Sequence, residues 1–154
     1  MTIEIKQADL KDLDVLMAWR MEVLHEVFDL PDDDKDPELY ENNRQYYLHA
    51  LPEEHHIACF ALADGEIIGC GGICLQREMP SPDNRSGTCG YLMNIYTRQP
   101  YRHQGAGKQI VRWLINQARE RHVEKIYLET SDDGRPMYEQ LGFEDLQGYM
   151  KLSR

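Results

Sequence analysis

A short glycine-containing turn offers the first chemistry in this sequence. Residues 102–107 read Arg-His-Gln-Gly-Ala-Gly and lie between a strand-like run at residues 91–97 and an amphipathic helical pattern at residues 108–121. Glycines let consecutive backbone N–H groups converge on one point, and the free amides at a helix start add the positive end of the helix dipole. The segment therefore predicts an anion-binding cradle.

The charge distribution supports a phosphorylated ligand. Residues 98–119 include five basic and no acidic side chains, whereas the whole chain carries a net charge of −10. The simpler alternative is an ordinary turn followed by a solvated basic helix face. Spacing excludes two nucleotide-binding motifs. Lys108 is followed by Gln109 instead of the Ser or Thr of a P-loop, and the third glycine of the dinucleotide fingerprint is missing.

Composition sets the class of protein. The 154 residues are expected to form one domain, 1–154, and a content of 42% hydrophobic and 29% charged residues is typical of a folded chain. No run approaches the ~18 apolar residues of a membrane span. The N-terminal residues lack the apolar core of a signal peptide, so we expect a cytoplasmic protein. The acidic chain has no second basic stripe, which argues against nucleic-acid binding.

Neither the cysteines nor the histidines suggest a metal site. The adjacent residues His55 and His56 would point to opposite faces of a strand. Four cysteines lie in apolar, strand-like surroundings without C-x-x-C spacing, and we expect them to be reduced thiols of the core: Cys59, Cys70, Cys74 and Cys89.

Hydrophobic periodicity and turn residues predict the elements that position the turn. Asp9 can cap a first helix that extends to about residue 28, and Asp64-Gly65 can join two strands as a hairpin. Residues 78–87 read as an exposed loop. The predicted strands are 3–6, 57–63, 67–75, 91–97, 125–130 and 143–152, and the other predicted helices are 37–50, 108–121 and 136–141.

The element order and two motifs resemble the GNAT superfamily of acetyl-coenzyme-A-dependent N-acetyltransferases. Arg102, Gly105 and Gly107 fit the family's pyrophosphate-binding pattern R/Q-x-x-G-x-G/A, and residues 137–143 are similar to its Y-E-x-x-G-F segment. The resemblance covers nearly the whole chain. It implies a mixed α/β fold of order β-α-α-β-β-β-α-β-α-β, with a central mixed sheet splayed between its fourth and fifth strands.

This resemblance implies that acetyl-CoA is the acetyl donor. Its pantetheine arm would lie along residues 95–97, beyond a bulge near Met93-Asn94, and its pyrophosphate would lie on the amides of residues 103–108. Arg102 and Lys108 would add charge or remain solvated. The implied cofactor-binding residues are Ile95, Tyr96, Thr97, Arg102, His103, Gln104, Gly105, Ala106, Gly107 and Lys108.

Two side chains match catalytic positions of the family. Tyr138 would protonate the departing thiolate, although transfer from a phenol of pKa ~10 to a thiolate of pKa ~8.5 is uphill by ~2 kcal/mol. The residue therefore needs a lowered pKa or acts as a hydrogen-bond donor, unless it only packs. Glu129 resembles a family base, working directly or through water, or else has only a solvated or salt-bridged surface role. Water leading to bulk solvent is the alternative base. A backbone N–H near Ile95 would stabilise the oxyanion.

The acceptor is expected to be a primary amine of a small molecule or peptide. Glu22, Glu26 and the seven acids of residues 29–41 would favour a cationic amine, or they serve only to keep the surface soluble. Three tyrosines either line the acceptor pocket or pack a helix: Tyr40, Tyr46 and Tyr47. The other class of function left open is a non-catalytic acyl-CoA-binding sensor or assembly module, and a homodimer is an open alternative to a monomer.

Overall fold

A five-stranded mixed sheet forms the centre of the computed structural model, which describes residues 1–154. The first four strands pair antiparallel, and the last pair is parallel. The fold class predicted from the sequence is therefore confirmed. The strands lie in the sheet in chain order: β1 (Ile3–Ala8), β2 (His56–Ala63), β3 (Glu66–Arg77), β4 (Thr88–Thr97) and β5 (Lys125–Leu128). The helices are α1 (Leu13–Val27), α2 (Pro37–Ala50), α3 (Ala106–Glu120) and α4 (Arg135–Gln140).

Each face of the sheet has its own core. On one face, the apolar stripe of α3 is fully buried through Ile110, Val111 and Leu114. On the other face, α1 and α2 pack against the sheet, with Trp19 beside Phe60 at 6.4 Å between ring centroids. Burial of these apolar side chains fixes both layers of helices against the sheet.

Local sequence signals explain several boundaries. Asp9 caps a single 3₁₀ turn, Leu10–Asp12, by accepting a hydrogen bond from the Lys11 N–H at 2.9 Å, and α1 follows this turn directly. Asp64 and Gly65 have φ angles of 52° and 81°, the left-handed geometry of a tight hairpin turn. The predicted cap and hairpin are thus both present.

The strand predicted at residues 143–152 is wrong, because the sheet ends at β5. Gly148 has a φ of 86°, which interrupts an extended backbone, and β5 offers an edge of only four residues. Leu152 is 92% exposed, so the segment buries little apolar surface. It lies beside β5 through a side-chain contact instead, with the Tyr149 ring centroid 6.4 Å from that of Tyr127.

The four cysteines are free thiols. Three are buried, and Cys74 is half-buried. None of the helices combines the length and the apolar character needed to cross a membrane.

Candidate active site

The turn before α3 presents a run of unpaired backbone amides. None of the six N–H groups of residues 103–108 donates a hydrogen bond within the protein, and the ladder of α3 starts at Gln109, whose N–H lies 3.1 Å from the Gly105 carbonyl oxygen. His103 and Gly105 have φ angles of 63° and 92°, so the chain turns through left-handed conformations before the helix begins. Free amides at the positive end of a helix dipole favour anions, as the glycine spacing predicts.

The two cationic side chains of this turn are held at its edges by protein partners. Arg102 Nε donates to the Thr97 carbonyl oxygen at 2.7 Å, and its Nη2 donates to Glu26 Oε2 at 2.8 Å. Lys108 Nζ donates to Gln140 Oε1 at 2.6 Å. In this arrangement the backbone amides, and not the side-chain charges, are the principal groups available to an anion.

The strand that leads into the turn separates from its neighbour. The parallel ladder between β4 and β5 ends where Leu92 pairs with Leu128. Residues 93–97 continue β4 without a partner on that side. The predicted splay between the fourth and fifth strands is therefore confirmed, and it leaves one edge of β4 open for hydrogen bonds to a ligand.

A β-bulge marks the start of this open segment. Between the paired residues Met93 and Tyr96, β4 carries one residue more than the facing stretch of β3. Asn94 and Ile95 face Gly71 alone, and Asn94 has a φ of 61°. The bulge was predicted near this position, and it redirects the backbone just where the strands separate.

Tyr138 lies in α4 and is 8% exposed. Its ring packs edge to face on Phe143, with 5.7 Å between centroids. Burial raises the pKa of the Tyr138 hydroxyl to about 12, and no neighbouring charge contributes. A phenol with a raised pKa stays protonated at neutral pH, which favours the role of hydrogen-bond donor over that of an acid with a lowered pKa.

Glu129 lies exposed, directly after the last residue of β5. Burial and, next, the charge of Glu129 raise the pKa of Tyr91 on the neighbouring strand β4. Glu129 follows Leu128, whose pairing with Leu92 ends the parallel ladder, so it lies at the point where the two strands separate.

A cavity of about 270 Å³ lies beside the bulge, on the face of the sheet covered by α1 and α2. Asn94 belongs both to the bulge and to the cavity wall, so the cavity adjoins the open segment of β4. The wall contains no carboxylate. Six residues supply its polar groups: Arg20, Asn42, Asn43, Tyr46, His56 and Asn94. Three more complete it: Tyr47, Cys74 and Met93.

A hydrogen-bonded cluster forms one side of this cavity. The Tyr46 hydroxyl lies 2.9 Å from His56 Nδ1 and 3.0 Å from Cys74 Sγ. Burial, and secondarily the charge of Arg20, lowers the pKa of His56 from 6.5 to about 4. Burial also raises the pKa of Tyr46 and of Cys74. The cluster is therefore uncharged at neutral pH. Gly72 makes room for the imidazole, because a Cβ there would lie 2.5 Å from His56 Nε2.

The acids that the sequence suggested as an acceptor wall lie elsewhere. Glu22 accepts two hydrogen bonds from Arg98, at 2.9 and 3.0 Å, which lower the pKa of its carboxyl. Glu26 pairs with Arg102. Neither glutamate lines the cavity, and neither do the acids of residues 29–41. The two glutamates neutralise the arginines that flank the end of β4.

Comparison with known proteins assigns the family. Residues 19–143 match the acetyltransferase (GNAT) family. The chain is a member of the GNAT family. The resemblance inferred from the turn and from the segment around Tyr138 is thereby confirmed.

Among solved structures, a predicted acetyltransferase from Clostridium acetobutylicum, determined with acetyl-CoA, is 28% identical to this GNAT chain. Its TM-score is 0.87, and the match covers 99% of this chain and 96% of the other. A glucosamine 6-phosphate N-acetyltransferase from Trypanosoma brucei brucei is 28% identical over 89 residues, which are 57% of this chain and 58% of that enzyme. The aminoglycoside N-acetyltransferase AAC(6')-Iy in complex with CoA shares the fold, with a TM-score of 0.74 and 17% identity over 99% of this chain and 95% of that one.

The polar wall of the cavity was mostly missed by sequence reasoning on this GNAT chain. Of the three candidate tyrosines, Tyr46 and Tyr47 line the cavity, whereas Tyr40 is exposed outside it. Arg20 did carry a signal, because it interrupts the apolar stripe of α1 four residues after Leu16. The other missed residues have no distinctive spacing: Asn42, Asn43, His56 and Cys74.

Proposed function

We propose that the protein transfers the acetyl group of acetyl-CoA to a primary amine of a small-molecule or peptide acceptor, by direct attack within a ternary complex. One observation carries this proposal. A run of six unpaired amides lies at the end of a strand whose edge is open, and a polar cavity adjoins that strand at its bulge. Such an arrangement suits a ligand with a diphosphate at one end and a reactive group at the other.

The backbone is the main group that would hold the donor. The amides of residues 103–108 would bind the pyrophosphate, with Arg102 and Lys108 at the edges. Residues 95–97 would hydrogen-bond the pantetheine arm along the open edge of β4. Bound in this way, acetyl-CoA supplies an activated acetyl thioester close to Asn94.

The side chains would divide the proton transfers between them. Attack by the neutral amine forms the new C–N bond, and collapse of the tetrahedral intermediate breaks the C–S bond. The backbone N–H of Ile95 would stabilise the oxyanion, and Tyr138 would donate a hydrogen bond to the departing thiolate. Glu129, directly or through water, would accept the proton that the amine loses.

Thiol release from acetyl-CoA, measured beside calorimetric titration of coenzyme A, tests the proposal. The acceptor panel comprises polyamines, aminoglycosides, amino acids, peptides and glucosamine 6-phosphate, the last because of the trypanosomal relative. We expect coenzyme A to bind and one class of amine to be acetylated. Tight binding without turnover would favour a non-catalytic sensor, and the absence of binding would contradict the donor site itself.

Exchange of Glu129 for Gln tests the base. An amine of pKa ~10 is only ~0.1% neutral at pH 7, so loss of a base should lower turnover at neutral pH by about 10-fold or more. The half-maximal pH of the rate should also move upward, toward the pKa of the amine. The control is Glu120→Gln at the exposed end of α3. An unchanged pH profile would show that water takes the proton.

A further inference from the structure

Arg20 carries a charge that no acid of the protein neutralises. Its Nε donates to Asn43 Oδ1 at 2.8 Å and its Nη1 donates to Asn94 Oδ1 at 3.0 Å, and both acceptors are neutral amides. No carboxylate lies within ion-pair distance of it. This contrasts with Arg98 and Arg102, which each pair with a glutamate of α1.

The remaining wall of the cavity does not compensate this charge. No acid lines the cavity, and asparagines supply the other strongly polar groups. The titratable neighbours are neutral around pH 7: burial raises the pKa of Tyr46, Tyr47 and Cys74, and it lowers that of His56. The cavity is therefore a polar site of single positive charge.

A half-buried guanidinium with neutral partners favours an anionic ligand. Withdrawing a charge from water is unfavourable unless a counter-charge and hydrogen bonds replace the water. Arg20 Nη2 donates no hydrogen bond within the protein, so part of the planar donor set remains available. Carboxylate and phosphate are the groups that a guanidinium binds best, through paired N–H···O contacts.

We propose that the acceptor carries an anionic group, a carboxylate or a phosphate, which Arg20 binds. This inference rests on the proposed acetyltransferase function and specifies the acceptor class for the same cavity. Arg20 contacts Asn94 at the bulge, so an anion bound there holds the rest of a small acceptor beside the open segment of β4. A polyamine or an aminoglycoside would bring further positive charge to a cavity that is already positive.

Pairs of acceptors that differ only in the anionic group test this inference. They also show whether the recognised group is a carboxylate or a phosphate. The carboxylate pair is an amino acid against its amide, and the phosphate pair is glucosamine 6-phosphate against glucosamine. We expect kcat/KM to favour the anionic member of at least one pair by about 10- to 100-fold, the range of a charge-assisted hydrogen bond. Polyamines and aminoglycosides should be poor acceptors.

Variants assign the preference to Arg20. In Arg20→Gln, the preference should fall to about threefold or less, and Arg20→Lys should retain part of it because the charge remains. The control Arg44→Gln removes a positive charge from α2 outside the cavity wall and should leave the preference unchanged. If Arg20 only joined α1 to β4, its loss would lower kcat/KM equally for both members of a pair.

The outcomes distinguish this inference from the function on which it rests. A preference for the uncharged members or for polycations would overturn the inference, and so would a preference that Arg20→Gln preserves. Coenzyme A binding without acetylation of any anionic acceptor would also overturn it. Absence of coenzyme A binding would instead contradict the proposed acetyltransferase. The affinity of each variant for coenzyme A, measured in parallel, reports whether it has folded.

Discussion

The side chains of the candidate site differ mainly in how strongly burial disfavours their charged forms. Tyr138 and His56 are both buried, and burial disfavours the charged form of each: it raises the pKa of the Tyr138 phenol and lowers the pKa of the His56 imidazole. Glu129, in contrast, lies exposed at the end of β5. The buried pair thus offers neutral hydrogen-bonding groups, whereas the Glu129 carboxyl is accessible to solvent.

Tyr138→Phe tests the donor role at the level of a single oxygen atom. We expect kcat to fall by about 100-fold, in the range lost when a positioned proton donor is removed. The affinity for coenzyme A should change by less than about twofold, because the backbone amides remain. Steady-state kinetics and calorimetry measure the two effects. Tyr40→Phe, at an exposed position, is the matched control. Equal kcat in wild type and Tyr138→Phe would exclude the donor role.

His56 should make the protein less stable as the pH falls. Its pKa is about 4 in the folded protein and near 6.5 when unfolded, so between these values the unfolded chain binds the proton and the folded chain does not. The contribution of the neutral His56 imidazole to the free energy of unfolding is complete above pH 6.5. It is lost progressively as the pH falls toward 4. The free energy of unfolding should drop by about 2 kcal/mol between pH 7 and pH 5 from this residue alone.

Urea denaturation of wild type, His56→Gln and His49→Gln at the two pH values measures this effect. His49 is exposed, so its variant should keep the wild-type pH dependence. His56→Gln should lose about 2 kcal/mol of that dependence, whatever its absolute stability. A variant with the same dependence as wild type would mean that His56 does not resist protonation.

At the level of elements, the turn at Gly105 combines a backbone requirement with an electrostatic one. A side chain at this position would meet no atom within 4 Å, so space is not the constraint. The constraint is the φ of 92°, which Asn and Asp tolerate better than most residues. The pair Gly105→Asn and Gly105→Asp therefore isolates charge from conformation.

We expect Gly105→Asp to weaken coenzyme A binding by 100-fold or more, on the order of 3 kcal/mol. The new carboxylate would compete with coenzyme A for the six free amides and would repel its phosphates. Gly105→Asn should weaken it by about 10-fold or less. Isothermal titration of both variants provides the comparison. Equal affinities for the two would mean that the phosphates bind somewhere other than this turn.

The elements that sequence could predict are those with local causes. The glycine turn, the hairpin and the stripe of α3 each follow from residues close together in the chain, and each is present. The final strand failed because pairing needs a partner edge, and β5 is only four residues long. The cavity could not be predicted from the sequence because it also depends on distant residues. The contact between Arg20 and Asn94 spans 74 positions. Tertiary packing alone brings such residues together.

At the scale of the whole molecule, the sheet separates two layers of helices. The amide-lined turn and Tyr138 belong to the layer of α3 and α4, whereas the polar cavity belongs to the layer of α1 and α2. The bulge in β4 is where the two layers meet. In the proposed reaction, donor and acceptor would therefore approach from opposite faces and react at the opening of the sheet.

Ligand binding at this junction should stabilise the whole fold. Coenzyme A at 100 times its dissociation constant should add about 2.7 kcal/mol, which raises the Tm of a chain of this size by roughly 5–10 °C. Differential scanning fluorimetry measures the shift. Gly105→Asp at the same concentration of coenzyme A should show almost none. A full shift in that variant would place the stabilising contacts outside the turn.

The unpaired amides before α3 also make ligand binding at this turn measurable by hydrogen–deuterium exchange. An amide without an internal partner exchanges its proton for deuterium at nearly the rate of an unstructured peptide, whereas an amide inside a stable helix is protected. The boundary falls between Lys108 and Gln109, where the hydrogen-bond ladder of α3 begins. One peptide spanning that boundary therefore carries both a fast and a slow set of protons, and slowing of the fast set directly measures how often the turn is occupied.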